Sequence, residues 1–395
     1  MDDTFEQARQ HFLEGVVHFE AGRLELACTS FETAQALAPG RPSVLGNLGI
    51  TLFRLGRWQA AADTLQQAVT ADPAHAEALV CLGLAHECLG HWEAAADALE
   101  RGLEGFDGGA TALLALGRSL GRIGRLSDAL RTLDHAVATE EYLAEAWSVR
   151  GNVLRDMGRL DEAAESFRRA IDAGADPELH HYYLAAARGE TLAAPPRHFV
   201  ESLFDEYSAD FEEHLVGALG YRGHERLLQR LLGKDRHHAR VLDLGCGTGL
   251  CGSLVAPCAG VVDGVDLSAA MLEQARKRGV YRQLAHDDLT SFLAARSEQA
   301  ELVIAADVFI YVGALDEIFP HVRRILAPGG TFAFTLERTE DDEDFRLLPT
   351  LRYAHSEAYI RRLAERHGFV VQDVVTAGLR ADQAETLPAL YVYLQ

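Results

Sequence analysis

Residues 241–249 read Val-Leu-Asp-Leu-Gly-Cys-Gly-Thr-Gly, and this stretch decides how the second half of the chain folds. A short apolar strand runs directly into a loop that has a glycine at every second position. Gly247-Thr-Gly-Leu-Cys-Gly252 also satisfies G-x-G-x-x-G, a pattern in which backbone approaches a ligand where side chains would block it. A strand, a glycine-rich turn and a helix in succession predict the first unit of a parallel sheet.

Strands and helices alternate from this stretch to the end of the chain, which predicts an α/β doubly wound, Rossmann-like domain. The predicted strands are 241–244, 261–266, 281–284, 302–307, 331–336, 369–375 and 389–394. The predicted helices among them are 269–278, 315–326 and 357–367, with a turn at 327–330. Ligands of such sheets bind at the carboxyl ends of the strands, where the glycine loop, Asp266, Asp288 and Asp307 fall.

Two cofactors compete for this crevice on the residues alone. The G-x-G-x-x-G loop with Asp266 at the end of the next strand would suit a dinucleotide. Three features favour S-adenosylmethionine instead. Asp243 stands before the loop, where a carboxylate suits an ammonium group and not a pyrophosphate. Asp288 follows the third strand, placed to accept from an adenine amino group. Pro328-Gly-Gly330 leads into a strand, a helix and two closing strands that can pair as a hairpin.

Together these motifs resemble the class I S-adenosylmethionine-dependent methyltransferases across about 240–395. The resemblance implies that the glycine loop passes under the methionine part, that Asp266 takes the ribose hydroxyls and that Asp288 contacts adenine. Each acid also has a plainer reading, a helix N-cap for Asp266 and a turn residue for Asp288. The cofactor is expected to leave as S-adenosylhomocysteine. The residues expected to bind it are Asp243, Gly245, Cys246, Gly247, Gly249, Asp266, Leu267, Asp288, Leu289, Asp307 and Tyr207.

The first half repeats itself every 34 residues. Two glycine series keep this spacing, Gly15, Gly49, Gly83, Gly117 and Gly151, and Gly22, Gly56, Gly90, Gly124 and Gly158. A large residue recurs in register at Phe31, Leu65, Leu99, Leu133 and Phe167. Each unit predicts two helices joined by a turn at the second glycine, with small residues that let the helices approach closely. The pattern resembles the tetratricopeptide repeat (TPR) over residues 8–177, and 178–189 are expected to form a capping helix.

This resemblance implies a superhelix whose concave groove binds a peptide or protein partner. In the TPR pattern the first helix of each unit lines the groove, which places there Arg54, Arg118, Arg122, Asn152 and Arg155. The arginines would suit an acidic peptide or a terminal carboxylate. The alternative is that they are solvated surface residues paired with neighbouring acids.

Pro195-Pro196 ends the repeat pattern, so we expect domains at 1–190 and 240–395 with a linker and entrance helices at 191–239. Tyr207 and Phe211 in that segment are candidates for a lid, with core packing as the alternative. The whole arrangement also resembles bacterial predicted methyltransferases that carry amino-terminal TPRs.

The catalytic candidates are His355, Asp307 and Tyr311, because they follow or flank the strand ends. A base is needed only if the acceptor is an alcohol or amine, and a carboxylate acceptor needs none. Two functions stay open: methylation of a peptide, protein or carrier-bound substrate docked by the repeats, or O- or N-methylation of a small molecule with repeats that serve oligomerisation. A scaffold that has lost activity is disfavoured by the intact loop and acids.

Charge and cysteine usage limit the partners. The chain has 395 residues and a formal net charge of −22, and both halves are acidic, so neither nucleic acid nor an anionic membrane is expected as a partner. No apolar stretch is long enough for a membrane span, the amino terminus has no signal-peptide pattern, and the six cysteines form no Cys-x-x-Cys pair. We therefore expect a cytoplasmic protein with reduced thiols, no metal site and scope for a homodimer.

Overall fold

The computed structural model describes residues 2–207, 222–232, 237–340, 343–382 and 385–395. The chain separates into two units, Met1–His180 and His181–Gln395. The predicted limits at 190 and 240 stay predictions. Phe211 lies outside the described residues, and of Tyr207 only the helical backbone is described.

The first unit is built from five helix pairs, as the 34-residue period predicts. The pairs are α1 Asp2–Glu20 with α2 Leu24–Leu37, α3 Pro42–Arg54 with α4 Trp58–Ala71, α5 Ala76–Cys88 with α6 Trp92–Leu103, α7 Gly109–Arg122 with α8 Leu126–Thr139, and α9 Ala144–Asp156 with α10 Leu160–Asp172. A further helix, α11, spans Pro177–Arg188, so the helix expected at 178–189 is present. Its His180 ring contacts the Ser148 hydroxyl at 2.9 Å within the first unit.

Each helix pair contains two recurring glycines, and glycine is required at the two positions for different structural reasons. A Cβ on Gly83 would lie 2.5 Å from Leu99 Cγ, so only glycine lets the large residue of the second helix pack against the first. Gly90, in the turn, has a φ of 74°, a left-handed conformation that costs other residues about 1–2 kcal/mol. The sequence period therefore encodes both the helix contact and the turn.

The second unit contains a nine-stranded mixed sheet. Its strands are β1 His238–Leu244, β2 Ala259–Asp266, β3 Gln283–His286, β4 Ala300–Ala305, β5 Leu326–Arg338, β6 Phe345–Leu347, β7 Tyr353–His355, β8 Val371–Asp382 and β9 Glu385–Leu394. The path runs β3-β2-β1-β4-β5-β7-β6, and β9 pairs with β5 and β8. The five strands β3-β2-β1-β4-β5 are parallel, and β8 and β9 form the expected antiparallel hairpin.

Of the described helices of this unit, two precede β1 in the chain and five lie between later strands. They are α12 Arg197–Tyr207, α13 Gly223–Gln229, α14 Leu250–Val255, α15 Ala269–Lys277, α16 Leu289–Ala295, α17 Ile318–Ile325 and α18 Glu357–Arg366. The core on one side of the sheet gathers buried side chains of β4, β5, β9, α17 and α18, among them Phe319, Phe332 and Phe334. None of the described helices is both long and apolar enough to cross a membrane.

Three details differ from the sequence prediction. The third strand begins at Gln283, two residues later than expected, and the preceding Tyr281 and Arg282 side chains donate hydrogen bonds to Asp243 and Asp263. The turn expected at 327–330 lies within β5. Strands β6 and β7 were not predicted, since a three-residue strand carries too little alternation to be detected.

Candidate functional site

The carboxyl ends of β1, β2 and β4 enclose a cavity of about 400 Å³. The glycine loop of β1 forms its floor, the loops after β2 and β3 form one side, and the segment after β4 forms another. Val200 and Phe204 of α12 also line it. The structure thus brings together most of the residues predicted at these strand ends.

The glycine loop is shaped for close approach. Gly245 has a φ of 61°, and a Cβ there would lie 2.6 Å from Val308 Cγ2. Gly247 has a φ of 53° and no atom within 4 Å of where its Cβ would stand, so its backbone faces open space. A ligand can therefore lie directly on the main chain at this point.

Asp266 fastens the loop to the second strand. Its carboxylate accepts the Gly247 N–H at 2.7 Å and the Ser268 N–H at 2.9 Å, and the residue is 9% exposed. Burial raises the pKa of Asp266 although these backbone donors favour its charged form. The carboxylate lines the cavity with its geometry fixed from two sides. The N-cap of α15 is Ser268, two residues later, so the alternative role of a helix N-cap does not fall to Asp266.

Asp288 has two structural roles. It is the N-cap of α16, where its carboxylate accepts the Ser291 N–H at 2.9 Å, and it lines the cavity. Burial raises its pKa, but the Ser291 donors and the nearby Arg197 outweigh burial, so the pKa is lowered. The Arg197 Nη1 atom lies 3.8 Å from the Asp288 carboxylate. Asp288 is therefore ionised at neutral pH and presented by a helix start.

Asp243 is the most buried acid of the cavity, at 1% exposure. Burial raises its pKa to about 7, while the Tyr281 hydroxyl and the Gly252 N–H donate to it and oppose that rise. Neighbouring Cys246 and Cys251 are thiols whose pKa is raised by burial. Cys246, Leu267 and Leu289 line the cavity as predicted, and Gly249 is not among its lining residues.

Asp307 and Tyr311 line the cavity on the β4 side. Asp307 has a φ of 60°, an unusual conformation for an aspartate, and its N–H donates to the Thr335 hydroxyl at 2.7 Å. The Tyr311 ring packs edge-on against Phe204 with centroids 5.0 Å apart. Non-glycine residues with positive φ cluster at functional sites, which agrees with the position of Asp307 in the cavity wall.

The position of His355 in the structure does not agree with its predicted catalytic role. His355 lies on β7, is fully buried and does not line the cavity. Its Nε2 contacts the Gly313 carbonyl at 2.8 Å, and burial lowers its pKa to about 4. A neutral histidine locked to a carbonyl in the core cannot exchange protons with an acceptor, so we withdraw it as a base.

His224 is the cavity histidine that the sequence analysis missed. It lies at the start of α13, is 6% exposed and lines the cavity. Arg197 and Phe204 of α12 were also missed as lining residues. Phe204 lies in the segment that was expected to form entrance helices, whereas no motif surrounds Arg197 or His224.

The five predicted groove residues lie on the first helices of their repeats, and these helices contact one another along the stack. Arg118 pairs with Glu87 at 2.6 Å and also with Glu145. Arg54 stacks on Phe19 and Arg122 on Trp92.

Arg155 pairs with Asp156 at 3.1 Å. Its Nη1 atom is buried and has no hydrogen-bond partner among the described residues. Asn152 is half-buried. Much of the predicted positive charge is therefore balanced within the repeats.

The cavity accommodates S-adenosylmethionine on its own geometry. An open glycine backbone, an acid at the end of β2, a second acid after β3 and a buried acid under the loop supply acceptors for ribose, adenine and ammonium groups. The carboxylates of Asp243, Asp266 and Asp288 would repel a pyrophosphate, and the cavity walls are largely apolar.

Comparison with known proteins agrees with this geometry. A family model described as a methyltransferase domain matches residues 217–374, and one described as a tetratricopeptide repeat matches 47–110 and 114–178. A malonyl-[acyl-carrier protein] O-methyltransferase of Geobacter sulfurreducens is 33% identical over 190 residues, which cover 46% of this chain and 68% of that one.

Two further proteins match shorter parts. A trans-aconitate 2-methyltransferase of Paracidovorax citrulli is 32% identical over 128 residues, covering 32% of this chain and 48% of the relative. The solved structure of YrrB, described as a TPR protein with an unusual peptide-binding site, is 20% identical with a TM-score of 0.40, covering 44% of this chain and 89% of that one.

Proposed function

Because this chain belongs to the class I S-adenosylmethionine-dependent methyltransferases and carries tetratricopeptide repeats, we propose that it methylates a carboxylate on a peptide, protein or carrier-bound acceptor that its repeats recruit. The cofactor would supply a methyl group on a sulfonium: a nucleophilic oxygen attacks that methyl carbon in line, the carbon–sulfur bond breaks, and the sulfur leaves as the thioether of S-adenosylhomocysteine. What the chain contributes is the position of both partners and the exclusion of water.

The cofactor side of the cavity is assigned to the acids and the loop. Asp266 would accept the ribose hydroxyls, Asp288 the adenine amino group and Asp243 the ammonium group, with Gly245 and Gly247 under the methionine part. The backbone bonds that hold Asp266 and Asp288 in place support these roles. Pre-positioned acceptors lose little conformational freedom on binding, which favours affinity.

The contact between Tyr311 and Arg352 is the observation that supports a carboxylate as the methyl acceptor. The mostly buried Arg352 guanidinium is hydrogen-bonded to the Tyr311 side chain and lies 3.6 Å from Glu337. Burial lowers the pKa of Arg352, but the charge effects of Tyr311 and Glu337 outweigh it, so its pKa is raised and it stays charged. A guanidinium carries donors only, so the phenolic oxygen is the acceptor and the hydroxyl becomes a stronger donor. Such a donor suits an anionic oxygen.

A carboxylate acceptor also fits what the two relatives are named for. Malonyl-[acyl-carrier protein] and trans-aconitate both carry carboxylates. A carboxylate is already deprotonated at neutral pH and needs no general base, which agrees with the withdrawal of His355.

Replacement of Tyr311 tests the acceptor class. Tyr311→Phe keeps the ring against Phe204 and removes the donor, so kcat/KM for the acceptor is expected to fall about 10–100-fold while S-adenosylhomocysteine affinity stays within twofold. At a saturating concentration of methyl donor, which offsets the titration of Asp243, the rate of both enzymes should be flat from pH 7 to 9. A rate that rises through this range in the parent and loses the rise in Tyr311→Phe would instead make Tyr311 a base for an alcohol or amine.

A small-molecule acceptor is the second candidate, favoured by the enclosed cavity and by the trans-aconitate relative. An extract of the source organism, incubated with the full chain and methyl-labelled cofactor, separates the two candidates. Label in macromolecules that drops with Asn152→Ala and Arg155→Ala supports recruitment by the groove. Label confined to small molecules, unchanged in those variants, supports the second candidate.

A further inference from the structure

Tyr281 occupies a space that three glycines leave open beside the cofactor loop. A Cβ on Gly252 would lie 2.3 Å from its Cζ and hydroxyl oxygen, and one on Gly264 would lie 3.0 Å from its Cε1. A Cβ on Gly249 would lie 3.0 Å from its Cε2. The ring therefore rests on the backbone of the loop, of α14 and of β2, and its position is fixed from three sides.

The hydroxyl of this ring reaches the buried acid of the loop. It donates to Asp243 Oδ2 at 2.7 Å, and Asp243 lines the cavity that receives the cofactor. Burial and the Asp243 charge raise the pKa of Tyr281, so the phenol keeps its proton and remains the donor. A donor that cannot ionise favours the charged form of the carboxyl it faces.

We propose that Tyr281 is a positioning residue that keeps the Asp243 carboxylate ionised and oriented toward the ammonium group of the methyl donor. The inference rests on the proposed role of Asp243. Tyr281 itself does not line the cavity, so it acts on the ligand through the aspartate.

The charges around Asp243 make this support necessary. Burial and, to a smaller extent, the charge of the neighbouring Asp266 raise the pKa of Asp243 to about 7. Cys246 and Cys251 are thiols with raised pKa, so they stay neutral and provide no cation. From α13, His224 lines the same cavity. Loss of the Tyr281 hydroxyl would therefore raise the pKa of Asp243 beyond 7.

The sign of the resulting pH effect follows from the charged state that the ligand requires. An ammonium group binds the carboxylate, so affinity is present above the pKa of Asp243 and is lost as the pH falls through it. In Tyr281→Phe that loss begins at a higher pH than in the parent. His224 is present in both proteins, so its contribution is common to the two sides of the comparison.

Calorimetric binding to the full chain at pH 6.5 and pH 9 tests the inference, with S-adenosylhomocysteine and 5′-methylthioadenosine as probes. The second probe lacks the amino acid part and does not need Asp243. Tyr281→Phe should weaken S-adenosylhomocysteine about tenfold at pH 6.5, as expected for a pKa rise of about one unit. The loss should shrink to less than twofold at pH 9, with 5′-methylthioadenosine unchanged at both values.

Tyr393→Phe is the matched control, because its buried hydroxyl donates to the Leu227 carbonyl at 3.0 Å and it does not line the cavity. It should leave both probes unchanged. An equal loss of both probes in Tyr281→Phe, or a loss of S-adenosylhomocysteine that does not vary with pH, would overturn the inference. Failure of the parent to bind S-adenosylhomocysteine would overturn the assignment of the cavity instead.

Discussion

At the residue scale, the Asp266 carboxylate both holds the glycine loop in place and lines the cavity. Its two backbone donors come from the glycine loop and from the start of α15, so the acid joins β1 to β2 where the cavity opens. Both donors compensate for its burial.

Asp266→Asn should reduce the affinity for S-adenosylhomocysteine by about 2 kcal/mol, or roughly 30-fold, because it removes charge-assisted acceptors from the ligand and from the loop. Isothermal calorimetry measures the change. Asp263→Asn is the control on the same strand, since Asp263 is held by Arg282 and Arg296 and does not line the cavity. That control should lose stability and keep its affinity. Equal affinities in the parent and Asp266→Asn would contradict the assigned role.

His355 gives a pH prediction at the same scale. Its pKa is about 4 in the fold and about 6.5 in an unfolded chain, so the unfolded state binds the extra proton between these values. The stability it contributes is present above pH 6.5 and is lost as the pH falls toward 4, by up to about 3 kcal/mol.

His355→Gln, which retains a donor for Gly313, should flatten the decline in the free energy of unfolding between pH 6.5 and pH 4. Urea titrations at several pH values measure it. Methyl transfer at pH 7.5 should stay within twofold of the parent. A large loss of kcat with normal stability would restore His355 as a reacting group.

Sequence alone located the acids of the site because parallel strands end at one edge, so Asp243, Asp266, Asp288 and Asp307 had to lie close together. The sequence did not predict which histidine lies in the cavity. The positions of His224 and His355 depend on how α13 and β7 pack, which involves contacts far apart in the chain.

At the element scale, a substitution at Gly83 tests the close contact between the two helices of a repeat. Gly83→Ala places a methyl group 2.5 Å from Leu99 Cγ, which overpacks the helix pair and should lower the free energy of unfolding by about 1–3 kcal/mol despite a better helix propensity. Thermal unfolding of the full chain measures it. The double variant Gly83→Ala, Leu99→Ala should be less destabilised than the sum of the two single variants. Strict additivity would show that the two positions are not coupled.

The elements were predictable in proportion to their length and regularity. Ten repeat helices follow from a 34-residue period, and five parallel strands follow from apolar runs between turn signals. The three-residue strands β6 and β7 depend on pairing with each other and with the end of β5, which no local pattern encodes. The groove arginines were located on the correct helices, but their pairing with Glu87, Glu145 and Asp156 required the structure.

At the scale of the whole molecule, a methyltransferase unit and a repeat unit share an acidic chain with a net charge of −22. This charge argues against nucleic acid as the acceptor, and it is consistent with the acidic partners found beside Arg118, Arg155 and Arg352. Localisation in the cytoplasm and homodimer formation stay predictions.

The chemical form of the transferred methyl group distinguishes a carboxylate acceptor from the other acceptor classes. A methyl ester releases its methyl as volatile methanol in mild alkali, whereas N-methyl and C-methyl groups stay attached. With the full chain, labelled cofactor and an extract of the source organism, we predict label in the macromolecular fraction that alkali converts to methanol, and about 30-fold less of it with Asp266→Asn when the cofactor concentration is well below its Kd. Label that survives alkali, or that appears only in small molecules, would contradict the account.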